Sequence, residues 1–583
     1  MKIRYIILLC TICLAACKQY LEVPPVSSFD PAITFSNVVN ARMAVLGTYG
    51  ALTGDQGYGI RINMYYAYDS DEMMGQGGTP FPDNERRDIA HYNLTPNNSQ
   101  LAQPFSQLYN GIERANLCIH YIPKMAMYTN GTEVEKNELK RLHGEALTLR
   151  AQFYFELIRN WGDVPAHFQP AIFETDQYPG KTDRDSIYDQ ILNDLAVAAP
   201  LVPWRTAAGP RDERITQGAV RALRAKIALF RGGYSLRRSK QMERPANYKP
   251  FYEIARTECN EIMQHRGDHS LNTSYLALFK DNLCAHKLDP TGEIIWEVAM
   301  AGSNSATGDS KMGYYNGPRY GSTGNAALTI LPTYFYTFDS IDTRRDVTCA
   351  PYDINTALNK TGRALQTMVD GKFRRDWIAN PVVVTSAAQY FGLNWPLIRF
   401  SDVLLMYAEA DNELNNGASA TAIAAFEEVR KRAYGANAAL IGTTPTTYTD
   451  FFNAIVKERL LEFGGEGVRK YDLIRWNLLD AKITATKAAL TAMSNRTAPY
   501  NTYPQTMYFR NNSPDLVWAG SFYKPTVTPA PAGHTSVAWF GSAINTTIIR
   551  YYAIEFKTGK SELLPIAQSV LDANPNLKQD YGY

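Results

Sequence analysis

Three short stretches of this 583-residue chain bring chemistry-bearing side chains close together. "DSDE" at 69–72 gathers the carboxylates Asp69, Asp71 and Glu72. Glycosidic hydrolysis needs two carboxylates facing each other across the scissile bond, and the sequence identifies no second partner, so these acids read as structural. "HRGDH" at 265–269 spaces His265, Asp268 and His269 as metal ligands are spaced. Gly267 breaks the turn at what reads as a helix end, which argues against a metal. "EGVRKYDLIRW" at 466–476 sets Arg469, Asp472 and Arg475 three residues apart. On a helix Asp472 then pairs with either arginine across a turn, a structural salt bridge rather than acid–base machinery. "GDQGYG" at 54–59 lacks the strand-then-helix context of a nucleotide loop. No nucleophile elbow, phosphate loop or zinc-protease pattern occurs. The sequence therefore predicts no enzyme, no catalytic residue, no metal ligand and no cofactor; calcium held by loop oxygens is left open.

Cys17 carries chemistry of another kind. Lys2 and Arg4 precede an apolar run, "YIILLCTICL" at 5–14, of about ten residues where a spanning helix needs roughly 20. Ala15, Ala16 and Cys17 follow. A basic start, a short apolar core and small residues at the cut describe a secretory signal, and "LAAC" resembles the bacterial lipobox. Residues 1–16 are thus expected to be a lipoprotein signal peptide. Cys17 becomes the acylated N-terminus, anchored by methylenes worth about 0.8 kcal/mol each. Cys10 and Cys13 leave with the signal. Cys118, Cys259, Cys284 and Cys349 are far apart, in no CxxC pair, and read as isolated core thiols.

The rest of the chain must position whatever these residues do not. A formal net charge of +2 excludes a strong pull toward nucleic acid. "EVEKNELKRLHGEALTLRAQFYFELIRN" at 133–160 places Leu139, Leu142, Ala146, Leu149, Phe153 and Leu157 on one helical stripe, and "NWGDVP" stops it. The same period runs through "SIYDQILNDLAVAAPLVP", "TQGAVRALRAKIALFRGG", "SDVLLMYAEADNEL", "SATAIAAFEEVRKRA" and "DFFNAIVKERLLEFGG". Thr216 is placed to cap the second of these, and Gly232 and Gly233 to end it. Ala146, Ala151, Ala222, Ala225, Ala408 and Ala410 let helices approach closely. The expected fold is mainly α: stacked helical pairs of tetratricopeptide type, interrupted by large irregular insertions at 53–98, 301–326 and 496–547.

Several long motifs, in order along the chain, resemble the SusD/RagB family. They are "SDE" (70–72), "LYNGIERAN" (108–116), "GEALTLRAQFYFELIRNWGDVP" (144–165), "WPLIRFSDVLLMYAEADNEL" (395–414), "IVKERLLEFGGEGVRKYDLIRW" (455–476) and "LLPIAQSVLDANPNLKQDYGY" (563–583). The resemblance implies one SusD-like binding domain over 17–583, with a tetratricopeptide scaffold. It further implies a lipid-anchored outer-membrane protein, facing the cell surface, that binds oligosaccharide and delivers it to a TonB-dependent porin of the SusC type. The alternative it implies is a RagB-like peptide-binding lid on the same kind of transporter.

Sugar rings stack their C–H faces on aromatics and hydrogen-bond through their hydroxyls, so a surface site needs aromatics in polar loops. Two loops qualify. Residues 73–93, "MMGQGGTPFPDNERRDIAHYN", offer Phe81, Asn84, Arg86 and Tyr92. The family's starch binders carry tryptophans in this loop, and this chain has none there, which counts against starch. Residues 301–326, "AGSNSATGDSKMGYYNGPRYGSTGNA", offer Tyr314, Tyr315, Asn316, Arg319 and Tyr320. Trp518 and Trp539 are a third choice.

Overall fold

The structure is a computed structural model that describes residues 30–76, 82–302, 305–510 and 513–583. Cys17, the signal segment and Phe81 lie outside the described residues.

Helices dominate. The principal ones are α1 (Val38–Tyr49), α2 (Ala102–Tyr121), α3 (Glu133–Trp161), α4 (Arg184–Ala198), α5 (Gln217–Arg231), α6 (Lys249–Gln264), α7 (Phe400–Asn415), α8 (Ala420–Tyr434), α9 (Tyr448–Phe463), α10 (Arg469–Arg475) and α11 (Leu479–Ser494). Their ends follow local chemistry. Thr132 and Glu135 form a reciprocal capping box at the start of α3: the Glu135 amide donates to Thr132 Oγ1 at 3.3 Å and the Thr132 amide to Glu135 Oε2 at 2.8 Å. Gly162 ends α3 in the left-handed region, at φ 77°. Thr216 caps α5 by accepting from the Ala219 amide, and Gly232 follows its last residue.

From α2 to α8 each principal helix lies against the next, and α6 meets α7 although 135 intervening residues (265–399) leave the stack and return. The six alanines singled out above are all fully buried, which permits those close approaches. One continuous apolar core runs from Phe35 to Ala567. The C-terminal segment closes on α3: the Trp161 indole donates to the Pro565 carbonyl at 3.1 Å and the Leu564 amide to the Asn160 carbonyl at 2.7 Å.

Strands appear where the helical stack is interrupted. β1 (Ile294–Val298) pairs antiparallel with β2 (Trp395–Arg399), which leads directly into α7. Two-residue strands pair Met73 with Ile330 and Met74 with Thr329, and this ties the first insertion to the chain just past the second. The 496–547 insertion, expected to be irregular, holds a three-stranded antiparallel sheet of β3 (Thr506–Arg510), β4 (Val517–Ala519) and β5 (Thr535–Ala538), with β3 central. Its strands, of three to five residues, are too short to stand out from the surrounding polar and proline-rich sequence. Among the described residues no helix is long and apolar enough to cross a membrane.

Candidate functional site

The three charged motifs are absorbed by the scaffold. Asp71 receives the Arg469 guanidinium in a bidentate pair, both contacts at 2.7 Å. The expected helical pairing is therefore half right: Asp472 binds Arg475 at 2.8 Å, but its other oxygen takes Arg459 of α9 at 2.7 Å, and Arg469 turns away to "SDE". Arg469 opens the short α10, so its side chain points back toward the loop instead of along the helix. Asp69 accepts from the Gly75 and Ala553 amides at 2.8 Å each and contacts His91. Glu72 is fully buried, and neither carboxylate oxygen has a hydrogen-bond partner among the described residues. Burial, and then the Asp71 charge, push its carboxyl up to about 8.

A larger network lies between β2, α8 and α9. Arg399 contacts Glu293, Glu462 and Glu466 at 2.8 Å each, Arg432 contacts Glu293 and Glu462, and Lys372 contacts Glu466 at 2.6 Å. Burial works against the Glu462 charge, but Arg432, Arg399 and Arg344 outweigh it and hold the carboxyl well below its usual range. Each acid in these motifs except Glu72 is satisfied by a structural partner. "HRGDH" is likewise structural: His265 stacks on Trp204 at 3.6 Å between centroids, and His269 Nδ1 lies 2.9 Å from the Gly292 carbonyl. No group of three His, Cys, Asp or Glu among the described residues is placed to hold a metal. The four remaining cysteines are buried and free, and burial pushes the Cys118 and Cys284 thiols up to about 12.

The surface site forms where the insertions meet. Arg86, from the first predicted loop, places its guanidinium 5.7 Å from the centre of the Tyr315 ring, in the second. Tyr314 meets Tyr315 edge to face at 5.1 Å. The backbone of the second loop is pinned by Tyr315 and Tyr314 amides donating to the Lys311 carbonyl at 3.1 and 3.2 Å, and by the Asn325 amide on the Tyr314 carbonyl at 2.7 Å. Gln76 accepts from Arg86 and fixes that side chain.

Sequence reasoning missed the floor and flank of this site. Tyr65 sits beneath Arg86, with Arg61 over its ring at 5.9 Å. Burial raises the Tyr65 hydroxyl, and the Arg86 charge works the other way. Asp55 binds Lys311 at 3.0 Å and accepts from the Tyr390 hydroxyl at 3.2 Å. These residues come from "GDQGYGIRINMYYAY" and from a stretch near 390 with no motif of its own. The run of tyrosines at 58–68 was the available signal, but Tyr58, Tyr66 and Tyr68 are fully buried, so composition there does not separate wall from core.

Other predicted positions are elsewhere. Tyr92 is a core residue, not a loop platform: its hydroxyl donates to the Asp69 carbonyl at 2.6 Å and its ring meets Phe556 edge to face. Asn316 is buried against Asp370. Tyr320 packs with Ala350, Tyr352, Ile354 and Val369, under the Arg375 guanidinium. Arg319 and Asn84 are exposed. Trp539 is fully buried and donates to the Tyr336 hydroxyl at 2.8 Å.

A family model described as "SusD family" matches residues 348–583, and one described as "Starch-binding associating with outer membrane" matches residues 20–229. The chain belongs to the SusD/RagB family. Among relatives of this SusD-like chain, a "SusD-like protein P25" of Formosa agariphila is 23% identical over 80% of this chain and 88% of its own length. A "SusD-like protein" of Bacteroides ovatus is 25% identical over 66% of this chain and 67% of its own. A crystal structure of a SusD homolog from Bacteroides thetaiotaomicron superposes with a TM-score of 0.77 at 24% identity, over 95% of this chain and 98% of that one. Surface glycan-binding protein A of the same species, in complex with laminarihexaose, superposes at 0.63 with 19% identity, over 93% and 99% of the two chains. The SusD-like fold is therefore mainly α, as expected.

Proposed function

We propose that this SusD-like protein is a non-catalytic glycan-binding lipoprotein of the outer membrane. It faces the cell surface and hands oligosaccharide to a TonB-dependent SusC-type transporter. The observation that carries the reading is the meeting of two insertions more than 200 residues apart, with Arg86 over Tyr315 beside Tyr314 and Tyr65. Tyrosine offers a rigid apolar face and a polar tip, and Arg61, Arg86, Asp55 and Lys311 supply the hydrogen-bonding groups that sugar hydroxyls take. Each cation here already has a protein partner, so a neutral sugar can be bound by shared hydrogen bonds without stranding a charge. Relatives described as binding laminarin support the glycan class. Of the "DSDE" acids, Asp69 and Asp71 are held in buried structural contacts and Glu72 is fully buried, and the reading requires no cofactor.

The test is affinity electrophoresis against laminarin, xylan, mannan and pectin, followed by calorimetry on the polysaccharide that retards the protein. The double variant Arg86→Ala, Tyr314→Ala should lose about tenfold or more in affinity, since binding energy concentrates in a few Tyr and Arg contacts. Its thermal midpoint should hold, because both side chains are only half-buried. Undiminished binding by the folded variant would reject the site, and retardation by none of the polysaccharides together with binding of peptides would favour the RagB-like alternative.

A further inference from the structure

A separate opening shares no residue with the tyrosine cluster. Its volume is about 680 Å³, within the range of sites that hold small ligands. The start of the 265–399 insertion, the Cys349–Lys360 hairpin and the C-terminal sheet form its walls. Half-buried Trp377 and Trp518 line it together with Tyr352. Each ring is held from behind. Arg374 stacks on Trp377 at 4.1 Å and donates to the Tyr352 hydroxyl, while Trp518 is wedged between Phe522 and Trp539 at 5.4 and 5.6 Å.

The cations in this cavity divide into two kinds. Arg345, Arg374 and Arg432 are neutralised by Asp346, Asp376 and the Glu293/Glu462 pair. Lys280 and Lys360 line the same cavity with no ion pair among the described residues. The Lys360 ammonium stands 4.9 Å from the Tyr352 ring centre. Burial, and then the neighbouring Arg374 charge, hold it below its ordinary value, the behaviour of a cation that a bound anion would relieve. Asp346 and Asp376 already serve Arg345 and Arg374, which leaves Asp515 as the acid among the described lining residues that faces the two lysines, so the opening keeps a positive balance.

We propose that this cavity is a second binding site and that its ligand is an acidic oligosaccharide, with sugar rings against Trp377 and Trp518 and a carboxylate or sulfate met by Lys280 and Lys360. The aromatic walls explain why a saccharide, and not a bare anion, fits: an inorganic ion would use the lysines and leave most of the cavity and both indoles uncovered. The proposal stands apart from the tyrosine site, which offers no unneutralised lysine.

The experiment titrates the purified protein by calorimetry with an oligogalacturonate, a sulfated carrageenan oligosaccharide and neutral laminarihexaose. At least one acidic ligand should bind, and which one does separates carboxylate from sulfate recognition. The double variant Lys280→Gln, Lys360→Gln should weaken that binding about tenfold, the change expected from losing two partly screened ion pairs. Arg86→Ala, Tyr314→Ala should leave it unaltered. Sodium chloride at about 1 M, where the screening length falls to roughly 3 Å, should weaken the wild type more than the lysine variant. Trp377→Ala should weaken binding in protein whose melting is unchanged. Failure of both acidic ligands to bind would overturn the proposal. So would acidic binding that survives the lysine variant, or that disappears in the tyrosine-site variant. Neither of these last two results bears on neutral glycan binding at the tyrosine cluster.

Discussion

Glu72 is the buried acid, among the described residues, whose two carboxylate oxygens both lack a hydrogen-bond partner. It lies between Asp71, which pairs with Arg469, and Tyr68 and Tyr334, which lend it no hydrogen bond. Its folded value, about 8, lies above its ordinary 4.5. The stability attached to that proton is therefore fully present below about pH 4.5 and is lost as the pH rises through about 8. Glu72→Gln removes the titration. The variant should gain on the wild type steadily across that window, by on the order of 1–3 kcal/mol at its upper end, the cost of a buried unsatisfied polar group. Urea unfolding at pH 5 and pH 8 measures it, and parallel pH curves for the two proteins would count against this account. The neighbouring pair should respond in the opposite way. Arg469→Met leaves Asp71 buried without its cation and should cost about 3–5 kcal/mol at neutral pH, read from the same unfolding curves.

At the scale of elements, two glycines in helices separate propensity from packing. In α2 a Cβ on Gly111 would come within 2.6 Å of the Phe153 ring of α3. In α1 a Cβ on Gly47 would meet nothing within 4 Å. Alanine favours an interior helix position over glycine by about 1 kcal/mol, whereas overpacking a filled contact costs about 1–3 kcal/mol. Gly47→Ala should therefore raise the thermal midpoint and Gly111→Ala lower it, although the two substitutions are chemically identical. A scan of both variants decides the point, and a rise for Gly111→Ala would show that α2 and α3 can separate freely. The small residue inside "LYNGIERAN" is thus explained by helix contact, whereas Asn116 holds the loop that follows α3 by donating to the carbonyls of His167 and Gln169 and is itself fixed by Arg150, which donates to it at 2.9 Å.

For the whole molecule, the proposed place at a membrane has to be reached although no helix among the described residues is long and apolar enough to span one. The "LAAC" segment supplies the expectation that Cys17 is acylated. Cys17→Ala should move the protein from the membrane fraction to the soluble fraction and abolish incorporation of labelled acyl chain. Retention of both would leave the anchor argument without support. Both candidate sites draw on the 265–399 insertion between α6 and α7; the tyrosine site adds the 53–98 loop and the cavity adds the sheet that follows α11. Loops built this way can differ in sequence while the stack that holds them stays intact.

The sequence by itself determined the helices, their caps, the close-packed alanines and the family, because each is encoded by residues near one another: a 3.6-residue stripe, a Thr–Glu box, a glycine stop. It also marked the two insertions whose tyrosines and arginine face each other. It could not say which aromatics face solvent. Tyr92 and Tyr320 sit in polar, glycine-rich stretches as Tyr314 does, yet the first two are sealed by partners at Asp69 and Arg375 that are distant in the chain. The partner of Arg469 was illegible for the same reason: a nearby carboxylate at i+3 is visible in sequence, while Asp71, 398 residues away, is not. Only tertiary structure joined Arg86 to Tyr315, and Lys360 to Trp377 and Trp518. Side-chain burial and charge pairing depend on what the rest of the chain brings within a few ångströms, and that is a property of the closed core rather than of any segment.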